Sequence, residues 1–341
     1  MQLATIGLDL AKNVFQIHGI TAGGKAVVRR TLRRNAVLDF FATIEPCLVG
    51  MEACGTAHYW AREIARFGHD VRLMPPAYVK PYVKRNKNDA TDAEAICEAV
   101  SRPTMRFVPV KTAEQQSVLM LHRTRNLLVR QRTMFANAIR AHLAEFGIVV
   151  AQGVGNVMTL VERLISTPSD AEPLPELVVT ILAPLMTTMK DLQQRIKMLE
   201  VELMKVHRAS EVSRRLETIP GFGCITSTAI AAAVPNPSIF RSGREFAAWL
   251  GLTPRQSSSG GKERLGGITK MGDGYIRSLL VNGAMAVIRF AKEEGSAKTI
   301  WIRRMMAKKP SRVVAVALAN KMARIAWAVM SKKETYHALP A

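Results

Sequence analysis

Residues 2–20 read QLATIGLDLAKNVFQIHGI, two apolar stretches separated by a short polar segment. The stretches at 2–10 and 14–20 have the composition of strands joined by a tight connection. Strands that pair first as hairpins and then continue through helices indicate an α/β domain with a mixed sheet and helices on its faces. The elements predicted next are a strand at 25–34, a helix at 35–44, a strand at 47–52, a helix at 57–67 and a strand at 70–74.

The remainder of the chain is predicted to be helical. DATDAEAICEAVS (89–101) opens with acidic residues, which the first turn of a helix favours. Two long amphipathic helices at 112–146 and 174–208, joined by a loop, indicate an antiparallel hairpin that packs against a second copy. We predict an α/β domain at 1–110, a coiled-coil oligomerisation hairpin at 111–210 and an all-α domain at 211–341.

The charge of the chain indicates which class of partner it binds. The 341 residues carry 48 Lys and Arg against 27 Asp and Glu, so the formal net charge is +21. Such a charge favours nucleic acid as the partner. A membrane is disfavoured because the apolar segment 313–329 contains Lys321 and Arg324, and the N-terminus does not resemble a signal peptide. Without CxxC or HxxxH spacing, we expect a cytoplasmic protein that has no zinc site.

Four acids stand at predicted strand ends or helix starts. Asp9 lies near the end of the first strand, Glu52 ends CLVGME, and Asp89 and Asp92 open a helix. Neighbouring strand ends lie about 4.8 Å apart and i, i+3 residues share a helix face, so the four carboxylates can converge. Clustered carboxylates repel unless a cation neutralises them, and oxygen ligands suit Mg²⁺ (or Mn²⁺). We therefore predict a divalent-metal site for phosphodiester chemistry.

A second stretch, PRQSSSGGKERLGGITK (254–270), lies between apolar segments at 245–252 and 275–287. Its Ser/Gly composition is that of a flexible linker. The surrounding positive charge favours a different interpretation, a loop that holds a nucleophilic serine against a phosphate. A serine hydroxyl needs activation by a base or a metal, and two glycines would let the backbone approach the phosphate closely.

Motifs along nearly the whole chain resemble the DEDD insertion-sequence transposases of the "one-ten" family and the related Piv-type DNA invertases. They are DLAK (9–12), EACG (52–55) with Trp60, KNDATDA (87–93), IPGFG (219–223), AAWLGLTPRQSSSGGK (247–262) and ITKMGDGYIRSLL (268–280). The resemblance implies a RuvC-like (RNase H-like) nuclease domain, a coiled coil and a C-terminal transposase domain with a helix-hairpin-helix-like element. It also implies recombination of donor and target DNA, guided by a bridge RNA, in dimers that assemble into a tetramer.

The resemblance also carries roles onto particular residues. Asp9, Glu52, Asp89 and Asp92 match the catalytic acids that bind metal, and Ser258 matches the nucleophile that forms a phosphoserine. Ser257 and Ser259 place a hydroxyl on either side of Ser258. The predicted nucleic-acid contacts share positive charge, a polar side chain or a glycine turn; they are Lys84, Arg85, Lys87, Arg123, Arg125, Arg130, Gly221, Gly223, Arg255, Gln256, Gly260, Gly261, Lys262 and Lys270.

Two other functions remain compatible with the residues. In a Holliday-junction-type resolvase the acids would activate water, and the serine loop would only bind DNA. A non-enzymatic nucleic-acid-binding protein would explain the charge, although four acids in this order argue against it.

Overall fold

The computed structural model describes residues 2–84, 89–166, 174–291 and 297–338. The chain divides into two compact units, Met1–Glu114 and Gln115–Ala341. The order of strands and helices predicted for the first hundred residues is confirmed. Its elements are β1 (Thr5–Asp9), β2 (Val14–Ile20), β3 (Ala26–Arg33), α1 (Val37–Thr43), β4 (Leu48–Glu52), α2 (Ala57–Ala65), β5 (Asp70–Met74), α3 (Pro76–Val79) and α4 (Asp89–Val100).

The first unit is built on a mixed five-stranded sheet with the strand order β3-β2-β1-β4-β5. Strands β1, β2 and β3 pair antiparallel, because short turns connect them. Strands β4 and β5 run parallel to β1, since each is reached through a helix. The central strand β1 therefore has its C-terminal end beside that of β4.

Helices cover both faces of this sheet. Ile6 and Leu8 of β1 belong to a buried cluster that includes Phe15 of β2, Phe41 of α1 and Trp60 of α2. Side chains alternate between the faces of a strand, so the intervening Gly7 lies on the opposite face. Helix α4 packs there. Burial on both faces makes β1 the most enclosed strand and fixes the position of its end.

The second unit is mainly helical. Its long helices α5 and α7 follow the predicted ranges closely, and the described elements from residue 113 onward are α5 (Ala113–Ala144), α6 (Val154–Ser166), α7 (Glu176–Ala209), α8 (Glu211–Glu217), α9 (Cys224–Ala233), α10 (Gly243–Trp249), β6 (Pro254–Gln256), β7 (Leu265–Ile268), α11 (Gly274–Arg289), α12 (Ala297–Met306) and α13 (Ser311–Lys332).

Two predictions for this unit are corrected. The connection between the long helices is not a simple loop, because α6 packs Val157 and Val161 into a cluster with Ile139 of α5 and Leu182 of α7. The region 211–341 is not all-α, because β6 and β7 form an antiparallel hairpin. A short strand pair held by one glycine turn has too little apolar pattern to be distinguished from a loop in the sequence.

Helix α13 forms the centre of the C-terminal core. Val314, Leu318 and Met322 lie among its buried residues, and α10, α11 and α12 pack around it. By length and composition α13 could cross a membrane, and half of its most apolar window is buried inside the protein. A core helix passes the same test, so this helix is weak support for a membrane span.

Candidate functional site

The register of the sheet places two predicted acids at one edge. In the parallel pair of β1 and β4, Leu8 lies opposite Met51. Asp9 and Glu52 are the next residues along these strands, and each is its strand's last residue. Neighbouring strands lie about 4.8 Å apart, so the two carboxylates extend from adjacent positions. Both residues are partly exposed.

Two glycines bring α4 onto the same face as these acids. A Cβ on Gly7 would lie 2.1 Å from the carbonyl oxygen of Ala93, and one on Gly50 would lie 2.7 Å from the Cβ of Val100. Gly7 and Gly50 therefore face α4. Asp9 and Glu52 lie two residues further along each strand and share that face, because strand side chains alternate with a period of two.

The direction of α4 brings its first turn toward the acids. Ala93 and Cys97 contact Gly7, and the thiol of Cys97 lies 3.7 Å from the carbonyl oxygen of Thr5. From Ala93 to Cys97 the helix thus runs back along β1, away from Asp9, and its first turn lies at the Asp9 end. Asp92 belongs to this turn and is partly exposed.

The convergence of all four acids remains a prediction. Helix α4 begins at Asp89, whose side chain lies outside the described part of the structure. Among the described side chains, no group of three His, Cys, Asp or Glu residues is arranged to hold a metal ion. The structure therefore brings Asp9 and Glu52 to one end of the sheet, with Asp92 on the adjoining helix; we call these three residues and their surroundings the acid edge.

One of the predicted nucleic-acid contacts, Lys84, is engaged in an ion pair with α4. The ammonium group of Lys84 lies 2.6 Å from the Glu94 carboxylate on α4. Their hydrogen bond raises the pKa of Lys84 and lowers the pKa of Glu94. The pair is exposed and screened by water, so a phosphate can compete for Lys84. Arg85 and Lys87 lie outside the described residues.

The triple serine lies on the exposed β6–β7 hairpin. The Ser257 amide donates to the Arg264 carbonyl at 3.0 Å, and the Arg264 amide donates to Ser258 Oγ at 3.2 Å. At the tip, the Lys262 amide donates to the Ser259 carbonyl at 3.1 Å. Ser258 is therefore held in a defined hairpin and remains exposed. The linker interpretation is wrong.

The two tip glycines are explained by the turn. Gly260 has φ +57° and Gly261 has φ +75°. A two-residue hairpin loop of type I′ requires positive φ at both central residues, which glycine adopts without steric cost. A Cβ at either position would have nothing within 4 Å. Open space around the tip leaves room for a ligand backbone.

The base of the hairpin is fixed by a close backbone crossing. A Cβ on Gly251 would lie 2.0 Å from the Met271 carbonyl oxygen, and one on Gly272 would lie 2.0 Å from the Trp249 carbonyl oxygen. The guanidinium of Arg277 donates to the carbonyls of Leu250 and Met271 at 3.0 and 3.2 Å. The base of the hairpin is therefore tightly packed, and its tip extends into solvent.

A basic depression lies along one side of this hairpin. It encloses about 470 Å³ and is lined by Arg255, Ser257, Arg264 and Lys270, with a wall of Leu265, Gly266, Gly267 and Ile268. No acidic residue is among the described residues that line it. Ser257 lines the depression, whereas Ser258 does not. Gln256 and Lys262 lie outside this lining and are exposed. The charge suits a phosphate group.

The glycine turn between α8 and α9 presents two different environments. Gly221 has φ +90°, and a Cβ there would lie 2.8 Å from the Gly283 carbonyl oxygen and from the Met322 side chain. Close packing against α11 and α13 therefore accounts for this glycine. Gly223 is exposed at the N-terminus of α9, with nothing within 4 Å of a Cβ. Of the two, Gly223 has the open surroundings that a DNA phosphate needs.

The predicted arginines of α5 also divide into two kinds. Arg125 donates to Glu200 of α7 at 2.5 and 2.9 Å, and only 17% of its side chain is exposed. This contact joins the long helices. Arg123 and Arg130 are exposed and stand seven residues apart, about two turns along one helix face. They are the α5 arginines placed to contact a backbone.

Two buried histidine networks were not predicted from the sequence. His207 contacts Ser213 Oγ at 2.8 Å and Glu217 Oε2 at 2.9 Å, an order reminiscent of a hydrolytic triad. Ser213 is completely buried, so this network has a structural role at the α7–α8 junction.

The second network joins α5 to α9 and α11. His122 contacts Thr228 Oγ1 at 3.0 Å and the Tyr275 hydroxyl at 3.1 Å. Burial lowers the pKa of His122 to about 4, so this histidine is neutral at physiological pH. Tyr275 lies in the first turn of α11, directly after the β6–β7 segment. The network therefore helps to hold the helix that follows the serine hairpin.

Comparison with known families covers both candidate regions. A DEDD transposase family of the IS110 type matches residues 6–148, which contain all four acids. A family described as "Transposase IS116/IS110/IS902 family" matches residues 213–299, which contain the hairpin. The mixed sheet of the first unit is consistent with a DEDD nuclease-like domain. Fold and site thus define a transposase of the DEDD class.

Individual relatives agree over almost their whole length. The chain is 49% identical to a "Probable family 20 transposase" of Pseudomonas aeruginosa over 98% of this chain and 99% of the relative. It is 42% identical to the "Transposase for insertion sequence element IS1328" of Yersinia enterocolitica, with 96% of each covered. The "Transposase for insertion sequence element IS1111A" of Coxiella burnetii is 39% identical, with 97% of this chain and 90% of the relative covered.

The chain belongs to the IS110 family of insertion-sequence transposases. Membership implies an enzyme that cuts and rejoins DNA. The DEDD domain further implies a divalent metal cofactor.

Proposed function

We propose that this transposase cuts and rejoins donor and target DNA through a phosphoserine intermediate formed by Ser258, under the guidance of a bridge RNA. The acids Asp9, Glu52, Asp89 and Asp92 would bind Mg²⁺ (or Mn²⁺) for this reaction. The observation that carries the proposal is the β6–β7 hairpin, which presents an exposed Ser258 beside a depression lined by Arg255, Arg264 and Lys270.

In each step of the reaction one phosphate ester bond is exchanged for another, so the number of such bonds stays the same. Ser258 Oγ attacks phosphorus and loses its proton to a base, so that an Oγ–P bond forms. The P–O bond to one sugar breaks, and the departing sugar oxygen takes up a proton to become a hydroxyl. A sugar hydroxyl of another strand then reverses these steps, which releases Ser258 and joins the strands without an external energy source.

Arg255, Arg264 and Lys270 supply the electrostatic part of this reaction on the hairpin. They line the depression beside the serines, so their charges can bind the non-bridging oxygens of the phosphate. The Arg264 amide already donates to Ser258 Oγ, which fixes the side chain. A positioned nucleophile has less orientational freedom to lose when it attacks.

The acid edge has the donor chemistry of a magnesium site. Asp9, Glu52 and Asp92 offer carboxylate oxygens, which Mg²⁺ prefers to the nitrogen and sulfur ligands that zinc accepts. Bound there, Mg²⁺ would neutralise phosphoryl oxygens. The strand order β3-β2-β1-β4-β5, with antiparallel and parallel halves, supports the RuvC-like (RNase H-like) assignment of this domain.

Oligomerisation and RNA guidance are supported by the surface of the long helices. Met120, Leu127 and Met134 recur every seven residues on α5 and are 68%, 54% and 67% exposed. An apolar heptad stripe is the pattern by which helices of two copies pair, which supports a dimer that assembles into a tetramer. The exposed Arg123 and Arg130 and the net charge of +21 suit an RNA or DNA backbone in the cytoplasm.

The test is capture of the covalent protein–DNA adduct. Full-length protein is incubated with Mg²⁺, labelled donor and target duplexes, and RNA transcribed from the DNA that flanks the gene. Labelled protein is then measured on a denaturing gel. We expect adduct with the wild type, Ser257→Ala and Ser259→Ala, and none with Ser258→Ala.

Two outcomes would contradict the proposal. Adduct at the wild-type level with Ser258→Ala would exclude this nucleophile; its selective loss with Ser257→Ala would assign the reaction to the serine that lines the depression. Cleavage without adduct, surviving Ser258→Ala and leaving free 5′-phosphate ends, would establish the resolvase-type alternative. In that alternative, the hydrogen bond from the Arg264 amide to Ser258 Oγ would stabilise a loop that only binds DNA.

A further inference from the structure

A pocket of the first unit lies beside the β1–β2 turn and has no part in the proposed reaction. It encloses about 570 Å³, within the size range of small-ligand sites. Its polar and aromatic lining comprises Asn13, Arg33, Arg34, Asn35, Tyr59 and Trp60. Phe15 and Trp60 pack edge to face below it, with ring centroids 5.0 Å apart.

The charge of the pocket selects an anion. Arg33 and Arg34 both line it, and its lining in the described part of the chain includes no acidic residue. The guanidinium of Arg34 lies 5.0 Å above the Trp60 ring, and its NH1 group donates to the Lys12 carbonyl at 3.4 Å. One edge of the guanidinium is thus anchored. The remaining donors of Arg34 can form the paired hydrogen bonds by which arginine holds a phosphate.

The aromatic side of the pocket offers a stacking surface. Tyr59 is 43% exposed, and its ring lies edge to face against Trp60 with centroids 5.2 Å apart. A buried ring thus supports an exposed one in a fixed orientation. Unpaired bases bind proteins by stacking on exposed aromatic side chains, whereas bases inside a duplex are already stacked on each other.

Two amides add hydrogen-bonding capacity to the pocket. Asn13 and Asn35 share the lining, and each side chain offers donors and an acceptor. The Nε1–H of Trp60 is itself buried, so Trp60 serves as the wall that supports Tyr59 and Arg34. A ligand that carries both donor and acceptor atoms, such as a nucleobase, matches the two amides.

The location ties the pocket to the acid edge. Asn13 lies in the turn that connects Asp9 at the end of β1 to Val14 at the start of β2. The pocket is formed with α1- and α2-side residues, whereas α4 covers the opposite face. Both features therefore lie at the same end of the sheet.

We propose that this pocket binds an unpaired nucleotide of a polynucleotide strand, with the base stacked on Tyr59 and a phosphate held by Arg33 and Arg34. The inference rests on the proposed nucleic-acid function but not on the phosphoserine step. The shared chemistry is that of single-stranded RNA and single-stranded DNA, and the experiment separates these two sources.

The test measures binding in EDTA, so that no strand cleavage is required. Full-length protein is titrated into fluorescein-labelled oligouridylate, oligodeoxythymidylate and a hairpin duplex, each of about twelve nucleotides, and anisotropy gives Kd at several salt concentrations. Tyr59→Ala should weaken single-strand binding roughly 5- to 100-fold, and Tyr59→Phe should stay within about threefold of the wild type. Arg34→Gln should reduce the salt slope by about one.

The controls distinguish binding by the pocket from the effects of net charge and of protein stability. Arg30→Gln removes an exposed arginine of β3 outside the pocket and should leave Kd within about twofold of the wild type. Tyr59 is exposed, so thermal unfolding of Tyr59→Ala should match that of Tyr59→Phe. Binding is measured in EDTA without strand cleavage, so failure of the serine mechanism stays distinct from failure of this site.

Each outcome decides the proposal. A loss confined to oligouridylate assigns the pocket to RNA, a loss confined to oligodeoxythymidylate assigns it to a separated DNA strand, and equal losses on both show a site for either. Wild-type affinity in both Tyr59→Ala and Arg34→Gln overturns the site. So does an equal loss on the hairpin duplex, because a paired base cannot stack on Tyr59.

Discussion

The acid edge and the serine hairpin each carry a short sequence motif, but different kinds of contact fix the positions of their side chains. Asp9 and Glu52 end two strands whose register is set by a core buried on both faces of the sheet. Ser258 stands on a two-stranded hairpin that is exposed except at its base, where Ile268 packs against the C-terminal core. At the acid edge, position follows from the packing of the whole domain. On the hairpin, position follows from one glycine turn and a tightly packed base.

This difference predicts different consequences of mutation. A group at the end of a packed strand can be replaced without moving its neighbours, so its loss reports chemistry alone. A change between the strand and α4 moves the acids relative to one another. A change at the hairpin tip affects only the turn, since nothing packs against it. Three substitutions, in decreasing order of expected effect, test this interpretation.

The largest effect is expected from Glu52→Gln. The amide keeps the size of the side chain but removes the charge that a divalent metal requires, so DNA strand cleavage should fall roughly 100- to 1,000-fold. Thermal unfolding should change little, because Glu52 is partly exposed at a strand end. The measurement is single-turnover cleavage of labelled DNA over a range of Mg²⁺ concentrations.

A matched variant for this experiment is Glu98→Gln on α4, which removes a carboxylate from an exposed pair with Arg102. It should retain cleavage within about twofold, since exposed pairs contribute at most about 1 kcal/mol. Equal activity of Glu52→Gln and the wild type would show that this edge does not hold the reacting phosphate.

A smaller loss, through the fold, is expected from Gly7→Ala. The new methyl group would lie 2.1 Å from the Ala93 carbonyl oxygen, so α4 must move away from the sheet. Overpacking of this kind costs about 1–3 kcal/mol, and the displacement would separate Asp92 from Asp9. Chemical unfolding should show the lost stability, and cleavage should fall with it.

The control for this substitution is Gly23→Ala, where a Cβ would meet its nearest neighbour, Thr21 Oγ1, at 3.9 Å. It should leave the free energy of unfolding within about 0.5 kcal/mol of the wild type. A Gly7→Ala protein as stable as Gly23→Ala would mean that α4 does not rest directly on β1, and that Asp92 is not held beside Asp9.

The sequence predicted the acid edge better than the hairpin for a physical reason. Strand β1 and its neighbours are short apolar runs with turn residues between them, so their order and ends are local properties of the sequence. The exposed β6 and β7 carry no buried face to mark them as strands. Helix α6 was missed although Val154, Val157, Val161 and Leu164 recur at three- and four-residue steps.

Contacts between residues far apart in the chain could not be predicted from the sequence. Arg125 appears as one of several arginines on α5, and only the fold shows that Glu200 of α7 is its partner. Gly221 is part of a recognisable glycine turn, yet its contact with Gly283 depends on how α11 packs. The convergence of Asp89 with the other acids, and contacts of Arg85 and Lys87, stay predictions from the sequence.

The smallest effect is expected at the hairpin tip and separates two roles of its glycines. Gly260 has φ +57° with open space around it, so Gly260→Ala should cost about 1 kcal/mol of backbone strain and lower the adduct yield modestly. Gly260→Asn should retain more yield, because asparagine tolerates this conformation. Both variants are compared with the wild type by adduct formation and thermal unfolding. If the glycine is instead needed for close approach of a phosphate, alanine and asparagine will fail equally, since each adds a Cβ where the ligand would lie.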